Sequence, residues 1–140
     1  MGRVLAIDYG QKRVGLAVTD EYRIIANQLD TVHVSEIIKY LKAYVAREKV
    51  DIFLVGEPRQ MDYTLSDASR FIEPFVKLLK KEFPGFPIER VDERFTSKLA
   101  TRTILEAGLK KKDRQDKALV DRVSATIILQ SWLEAQSYKI

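Results

Sequence analysis

The chain has 140 residues, of which 46% are hydrophobic and 31% charged, a composition typical of one globular domain and unlike that of a disordered chain. It contains no cysteine, which excludes disulfide bridges and thiolate metal sites. It has no apolar run of about 18 residues for a membrane span, and its first apolar segment is too short for a signal peptide. We therefore expect a single domain over residues 1–140 that is cytoplasmic and makes no membrane contact.

The net charge of +4 is unevenly placed along the chain. Residues 90–122 contain ten Lys or Arg and six Asp or Glu, so this segment carries the whole excess of positive charge. A basic stretch on a neutral body favours binding to a phosphate backbone. Charge alone is explained equally well by a solvated helix face followed by a Lys-rich loop.

The first three predicted elements are strands. The segment Arg3–Tyr9 is short and apolar, and a glycine turn connects it to Val14–Thr19, so the two form a hairpin. A weaker strand is predicted over Ile25–His33. Ser35 is then placed to cap a helix that runs to about Glu48.

From residue 51 onward strands and helices alternate. A strand is predicted over Asp51–Gly56, a helix from Ser66 to about Phe83, and a strand over Ile88–Phe95. Two helices close the chain: one that ends at Gly108, and one from about Asp116 to Gln136. Such alternation implies parallel pairing, with helices on both faces of the sheet. We therefore predict an α/β domain with a mixed five-stranded sheet whose first three strands are antiparallel.

Asp8 is the first candidate for a chemical role. It lies near the carboxyl end of the first strand and shares a face with Val4 and Ala6. Open α/β sheets bind their ligands at such strand ends. A turn-capping aspartate before Gly10 is the alternative explanation.

Asp121 is the second candidate, because it faces inward from the last helix. At 100° per residue, Asp121 lies within about 60° of Ala125, Ile128 and Trp132, so it begins an apolar stripe. Its carboxylate should point toward whatever that stripe packs against. The alternative is a purely structural role, since a helix N-terminus favours an anion.

A third candidate comes from the pair Asp92-Glu93 in the fifth strand. Alternation places Glu93 on the face of Val91 and Phe95, and Asp92 on the other face between two arginines. An aspartate between arginines is typical of a surface ion pair, so Glu93 is preferred. Glu57, just past the fourth strand, is a further inward-facing candidate.

Carboxylates from the first strand, a neighbouring strand end and a helix are the hard oxygen ligands that Mg²⁺ and Mn²⁺ require. Two such ions about 4 Å apart can activate an attacking water and stabilise the leaving oxygen of a phosphodiester. The pattern therefore predicts a hydrolase site of the two-metal type. The predicted ligands are Asp8, Glu93 and Asp121, with Glu57 or Asp92 as a further one.

Five motifs resemble those of the YqgF/RuvX family. They are Ile7-Asp8-Tyr9-Gly10, Arg13–Ala17, Val55–Pro58, Val91–Ser97, and Val120-Asp121 followed by Ser124–Leu129. The resemblance covers essentially the whole chain, and the run from Asp92 to Ser97 is its most specific element. It implies an RNase H-like fold and a nuclease. The proposed activities of that family are 5′-end maturation of pre-16S ribosomal RNA and Holliday-junction resolution.

The resemblance also implies roles for individual residues. Asp8, an acid of the Asp92-Glu93 pair and Asp121 match the acidic positions of the family, while Arg94 and Thr96 would contact phosphate or orient Glu93. Together with the basic stretch, these motifs give the expected nucleic-acid-binding residues: Arg13, Arg94, Thr96, Lys98, Lys110, Lys111, Lys112 and Arg114.

Several functions remain open at this stage. The leading one is a Mg²⁺- or Mn²⁺-dependent nuclease that cleaves precursor ribosomal RNA during ribosome biogenesis. Junction cleavage would use the same chemistry and would need a homodimer with two sites, whereas the RNA nuclease could be a monomer. A non-catalytic RNA- or ribosome-binding module is a further alternative. The Asp-x-Gly turn also resembles that of actin-like kinases, but the chain supplies only one of their two lobes and no P-loop.

Overall fold

The computed structural model describes residues 2–57, 69–92 and 117–137. The strands are β1 (Arg3–Tyr9), β2 (Arg13–Thr19), β3 (Ala26–His33), β4 (Val50–Glu57) and β5 (Ile88–Asp92). The helices are α1 (Ile37–Arg47), which a 3₁₀ turn at Val34–Glu36 precedes, α2 (Ser69–Glu82) and α3 (Lys117–Ser137).

The five strands form one mixed sheet in the order β3-β2-β1-β4-β5. β1 pairs antiparallel with β2 and parallel with β4, β2 pairs antiparallel with β3, and β4 pairs parallel with β5. The predicted mixed sheet with three antiparallel strands at its start is therefore confirmed.

The central strands are buried on both faces because helices cover both. One face packs on α1 and α2 through a cluster that includes Leu5, Ile7, Phe53, Leu41 and Leu79. The other face packs on α3 through a smaller cluster that includes Val4, Ala6, Leu54, Ala125 and Ile128. Near-continuous apolar strands such as β1 and β4 are what a sheet covered on both sides requires.

The first helix differs from its predicted bounds at its start. The ring Nδ1 of His33 accepts a hydrogen bond from the backbone N–H of Ser35 at 3.1 Å, so His33 and not Ser35 caps the 3₁₀ turn that leads into α1. Pro74 lies within α2. The predicted helix start at Ser66 and the helix that Gly108 ends lie outside the described residues. None of the helices in the described ranges is long and apolar enough to cross a membrane.

The pairing brings five strand termini to one end of the sheet. β1, β4 and β5 are parallel, so their carboxyl ends lie there, together with the start of β2 and the end of β3. The opposite end carries Gly2, the turn between β2 and β3, and the start of β4. The first of these two ends is where the predicted acids fall.

Candidate active site at the carboxyl end of the first strand

Asp8 lies on the face of β1 that α3 covers. Its neighbour Tyr9 turns to the other face, where its ring stacks on that of Phe75 with the centroids 4.2 Å apart. Val4 and Ala6 share the face of Asp8 by alternation, and both pack in the cluster with α3. The half-buried carboxylate of Asp8 is therefore directed to the side of the sheet from which Asp121 approaches.

Gly15 brings the two aspartates together. It stands directly opposite Asp8 in the antiparallel pair of β1 and β2, and opposite residues share a face with their Cβ positions about 4.5–5.5 Å apart. A Cβ added to Gly15 would collide with the backbone carbonyl of Asp121 and lie 3.0 Å from its Cβ. α3 thus packs on bare β2 backbone, and Asp8 and Asp121 flank the same glycine.

Arg13 is the immediate partner of Asp121. Its Nε donates a hydrogen bond to Oδ2 of Asp121 at 2.7 Å, and the two side chains are 40% and 21% exposed. They line an open depression of about 210 Å³, whose other walls are Gly10, Gln11 and Lys12 of the turn between β1 and β2. The site therefore combines an inward acid, a basic group and space for a small anionic group.

The first turn of α3 is tied to the edge strand β3. The hydroxyl of Thr31 donates to the carbonyl oxygen of Ala118 at 2.6 Å, and Nη1 of Arg122 donates to the same hydroxyl oxygen at 3.4 Å. Thr31 stands opposite Gly15, so one row across three strands holds Asp8, Gly15 and Thr31. This row fixes the turn of α3 that carries Asp121.

The stripe predicted on the last helix is present. Ala125 and Ile128 are fully buried in the cluster with β1 and β4, and Trp132 packs against it. Asp121 lies at the start of this stripe with a side chain only 21% exposed. The inward direction of Asp121 is thereby confirmed.

Glu57 lies elsewhere. Phe53 and Val55 alternate with it along β4, and both belong to the cluster with α1 and α2. Glu57 lies 3.8 Å from Arg90, whose guanidinium also binds Glu73 of α2 at 2.9 Å. The structure therefore places Glu57 on the face opposite Asp8 and Asp121.

The remaining predicted site residues cannot be placed. Glu93, Arg94, Thr96, Lys98, Lys110, Lys111, Lys112 and Arg114 lie outside the described residues, and the side chain of Asp92 is not described either. Val91 packs on the α3 side of the sheet, which is the face on which strand alternation predicts Glu93. Its role as the third acid stays a prediction.

Two residues that position the site were not singled out from the sequence. Gly15 carries a usable signal, because an isolated glycine in an apolar strand indicates close backbone approach. Thr31 carries none, since a threonine in an edge strand is ordinary. Within residues 2–57, 69–92 and 117–137, no three His, Cys, Asp or Glu side chains group closely enough to hold a metal ion. Of the predicted ligands, this part contributes Asp8 and Asp121 to the candidate site.

The fold has solved counterparts. It resembles that of RuvC from Thermus thermophilus in complex with a Holliday junction substrate, with a TM-score of 0.56 and 18% identity over 99% of this chain and 97% of that chain. A second Thermus thermophilus RuvC structure matches with a TM-score of 0.55 and 15% identity. The sheet order and the helices on both faces define an RNase H-like fold.

Sequence comparison identifies the family within that class. Residues 2–135 match the family described as RuvX, Holliday junction resolvase, so the chain belongs to the RuvX family. A relative from Bacteroides thetaiotaomicron is 56% identical over 99% of this chain and 100% of its own length. One from Bacteroides fragilis is 57% identical over 97% of this chain and 99% of its own. Both carry the name "Putative pre-16S rRNA nuclease".

Proposed function

We propose that this protein is a divalent-metal-dependent nuclease that cleaves precursor 16S ribosomal RNA near its 5′ end, in the cytoplasm. The observation that carries the proposal is the meeting of Asp8 and Asp121 on either side of Gly15. Carboxylates at the carboxyl end of a strand lie where open α/β sheets bind their ligands, and carboxylate oxygens are the donors that divalent cations prefer. The name shared by the two Bacteroides relatives supports this choice of substrate.

The residues present fit Mg²⁺ or Mn²⁺. Carboxylate oxygens are the donors these ions prefer, and Asp8 and Asp121 supply them from two different elements. Glu93 is the proposed third ligand, since Val91 packs on the same side of the sheet. Glu57 is a weaker candidate, because it lies on the other face beside Arg90. When two ions are bound, they supply an activated water and stabilise the leaving oxygen.

The protein's own groups bind and orient the substrate. Arg13 and Lys12 line the depression beside Asp121, where a guanidinium and an ammonium can hold one phosphate of the backbone. The basic residues at positions 98–114 would contact phosphates further along the strand. The packing of α3 on β2 at Gly15, next to β1, holds Asp8 and Asp121 in position.

Junction resolution is the second candidate, and the description of the matched family favours it. The carboxylates and phosphate-binding groups would be the same for both substrates. A four-way junction presents two strands for cleavage, so that activity would require a homodimer with two sites. Rate constants on the two substrates and the mass of the active species distinguish the candidates.

The test compares wild type with Asp8→Asn, which keeps the shape of the side chain and removes its charge. The substrates are a precursor fragment spanning the 5′ end of 16S rRNA, a four-way DNA junction and a single strand, each in Mg²⁺, in Mn²⁺ and in EDTA. We expect metal-dependent cleavage of the precursor by wild type. We expect a loss of more than about 100-fold in Asp8→Asn, because changes even to groups behind metal ligands cost about 10–100-fold.

Asp51→Asn is the matched control, since it removes an aspartate charge at the opposite end of the sheet. It should cleave at the wild-type rate at temperatures well below its unfolding midpoint. Full cleavage by Asp8→Asn would remove that residue from the catalytic site. Wild type that binds the precursor with steep salt dependence but forms no product would instead indicate a non-catalytic RNA-binding module.

A further inference from the structure

The Arg13–Asp121 contact conflicts with a metal-binding role for Asp121. Oδ2 of Asp121 already accepts a hydrogen bond from Nε of Arg13 at 2.7 Å. A cation coordinated by this carboxylate would lie within a few ångströms of the guanidinium, and like charges at such distances repel strongly when partly shielded from water. A cation on this oxygen would therefore have to displace the guanidinium of Arg13.

Arg13 has a second possible partner in the same place. Its side chain is 40% exposed, against 21% for Asp121, and it opens onto the depression of about 210 Å³. An arginine carries five N–H donors in a planar fork that matches the oxygens of a phosphate. The contact with Asp121 uses the Nε donor, so a phosphate that binds the Nε edge of the fork would compete with Asp121 for that donor.

The backbone around Arg13 does not need to move for such an exchange. Arg13 is the first residue of β2 and stands opposite His33 of β3. Its carbonyl oxygen accepts a hydrogen bond from the N–H of Gly10 at 3.0 Å, and the neighbouring Lys12 carbonyl accepts one from Val34 at 3.0 Å. The turn is thus held at both sides, and only the flexible arginine side chain has to reorient.

We propose that Arg13 is a positioning residue shared between Asp121 and a backbone phosphate of the substrate. In the free protein Arg13 neutralises Asp121 and opposes cation binding. When a phosphate enters the depression, Arg13 turns to it and releases Oδ2 of Asp121 as a metal ligand. Substrate binding and metal binding are thereby coupled. This inference rests on the proposed nuclease function and specifies how its site is loaded.

The coupling has a required thermodynamic form. If bound substrate raises the affinity for the cation by some factor, the cation must raise the affinity for substrate by the same factor. The coupling free energy can be no larger than the difference between the interaction free energies of Arg13 when it contacts Asp121 and when it contacts the phosphate. A partly exposed ion pair with a charged hydrogen bond gives roughly a 3- to 10-fold effect.

The first measurement is the affinity of the free protein for Mn²⁺ alone, by calorimetry and by electron paramagnetic resonance. Arg13→Gln should bind Mn²⁺ roughly 3- to 10-fold more tightly than wild type, because the competing guanidinium is gone. Arg13→Lys, a safer substitution for folding, should shift the affinity in the same direction by less. An unchanged or weaker affinity in both variants would overturn the proposal, because Arg13 would then merely support Asp121.

The second measurement is the affinity for a fluorescent fragment of the precursor RNA, by anisotropy, in EDTA and in Ca²⁺, with each sample checked on a gel for intact RNA. The gain in affinity on adding Ca²⁺ should be roughly 3- to 10-fold larger for wild type than for Arg13→Gln. Lys12→Gln is the matched control, since it removes a charge from the same turn and keeps the Arg13–Asp121 pair. It should bind RNA more weakly yet show the wild-type gain.

Equal gains in wild type and Arg13→Gln would contradict the coupling. Neither measurement requires turnover, so the coupling and the proposed nuclease function fail separately. A protein that shows the coupling but cleaves nothing would keep the inference and lose the nuclease. A protein that cleaves, but whose RNA affinity rises equally with Ca²⁺ in all variants, would keep the nuclease function and lose the coupling.

Discussion

The two ends of the sheet each carry an arginine–aspartate pair of nearly the same length. At one end Arg13 lies 2.7 Å from Asp121, and at the other Arg23 lies 2.9 Å from Asp51. By distance and residue type the pairs are equivalent. Their surroundings differ, and the surroundings decide which pair holds the fold together and which is available for chemistry.

The pair at the Asp51 end is part of a closed backbone network. Oδ2 of Asp51 accepts hydrogen bonds from the N–H of Gly2 at 2.7 Å and from Nη2 of Arg23 at 2.9 Å. Nε of Arg23 returns to the carbonyl of Gly2 at 3.0 Å. A side chain on Gly2 would collide with the Asp51 carboxylate. The Gly2 N–H, followed by Arg23, lowers the pKa of Asp51 below its ordinary value.

The turn next to it is built in the same way. The carboxylate of Asp20 accepts hydrogen bonds from the backbone N–H groups of Tyr22, Ile24 and Ile25 at 3.1, 2.7 and 2.8 Å. These bonds, chiefly that from Ile25, lower the pKa of Asp20. They also hold Arg23 at a positive φ of 57°, a conformation uncommon outside glycine. At this end the aspartates bind backbone and leave little for a ligand.

Asp121 is arranged differently. Its carboxylate accepts a hydrogen bond from the side chain of Arg13, and the pair lines an open depression. An aspartate tied to backbone N–H groups is thus structural, whereas one tied to a partly exposed arginine side chain beside an open depression is available for binding.

The comparison is tested most strongly by replacing each aspartate with asparagine. Asp121→Asn should reduce metal-dependent cleavage by more than about 100-fold, because a proposed ligand is lost, while the unfolding midpoint stays near that of wild type. Asp51→Asn should do the opposite and lower stability without reducing the rate. Cleavage assays at 25 °C and urea unfolding of both variants give the result.

The difference between the two ends would disappear if both variants lost similar amounts of activity and stability. A second control is Arg13→Gln in the same unfolding experiment. If Arg13–Asp121 contributes to folding as little as an exposed pair usually does, about 0–1 kcal/mol, this variant should unfold close to wild type. A large loss of stability would show that Arg13–Asp121 stabilises the fold, as we expect of Arg23–Asp51.

The next effect in size is expected from Gly15→Ala. A methyl group at this position would collide with the Asp121 backbone, so α3 must move away from β2. Overpacking of this kind costs about 1–3 kcal/mol, and cleavage should fall as well because Asp8 and Asp121 separate. Gly10→Ala is the matched control at the same hairpin. Within the described part of the chain, its new methyl group would meet the Arg13 carbonyl, so binding in the depression should change while the Asp8–Asp121 spacing is kept.

Separate readouts make the Gly15 prediction decisive. Urea unfolding reports the packing cost, and Mn²⁺ titration of the folded variant reports the carboxylate spacing. Lower stability together with weaker Mn²⁺ binding is the expected outcome. Wild-type Mn²⁺ affinity in a destabilised Gly15→Ala protein would show that the glycine serves packing alone.

Gly15 also shows how far sequence reasoning reaches here. Strand alternation was sufficient to predict the face of Asp8, which it shares with Val4 and Ala6, and helical spacing was sufficient to predict the face of Asp121. Both predictions succeed because each residue borders an apolar stripe that packs on one surface. The distance between the two aspartates was beyond that reasoning. It depends on how closely α3 approaches β2, which no periodicity within either element encodes.

Glu57 shows a different limit. It was expected to be an inward-facing candidate, and it is largely buried, but on the face of α2 with Arg90. β4 is apolar on both faces because helices cover both, so its sequence pattern does not distinguish one from the other. Only pairing with β1 and β5 assigns the face. The mixed sheet itself was predictable, since the order of strands and helices along the chain restricts the possible topologies.

The smallest expected effect concerns stability at the Asp51 end. Asp51→Asn should lower the free energy of unfolding at pH 7 by about 1 kcal/mol, since charged hydrogen bonds are weakened but remain partly exposed to water. The lowered pKa sets how this difference depends on pH. Asp51 has an ordinary pKa of 3.8 and a lower one in the folded protein, so its contribution is present above about 3.8 and is lost as the pH falls through the folded value.

The stability gap between wild type and Asp51→Asn should therefore be constant from pH 7 to about pH 5 and close as the pH falls below 3.8. Urea unfolding of both proteins over this range measures it, and the difference between them cancels every other carboxylate, including Asp20 with its own lowered pKa. A gap that stays constant down to the lowest pH would mean that Asp51 acts through its shape and neutral hydrogen bonds. The pair at that end would then owe its structural character to the backbone of Gly2 and not to charge, and the contrast with Arg13–Asp121 would be sharper still.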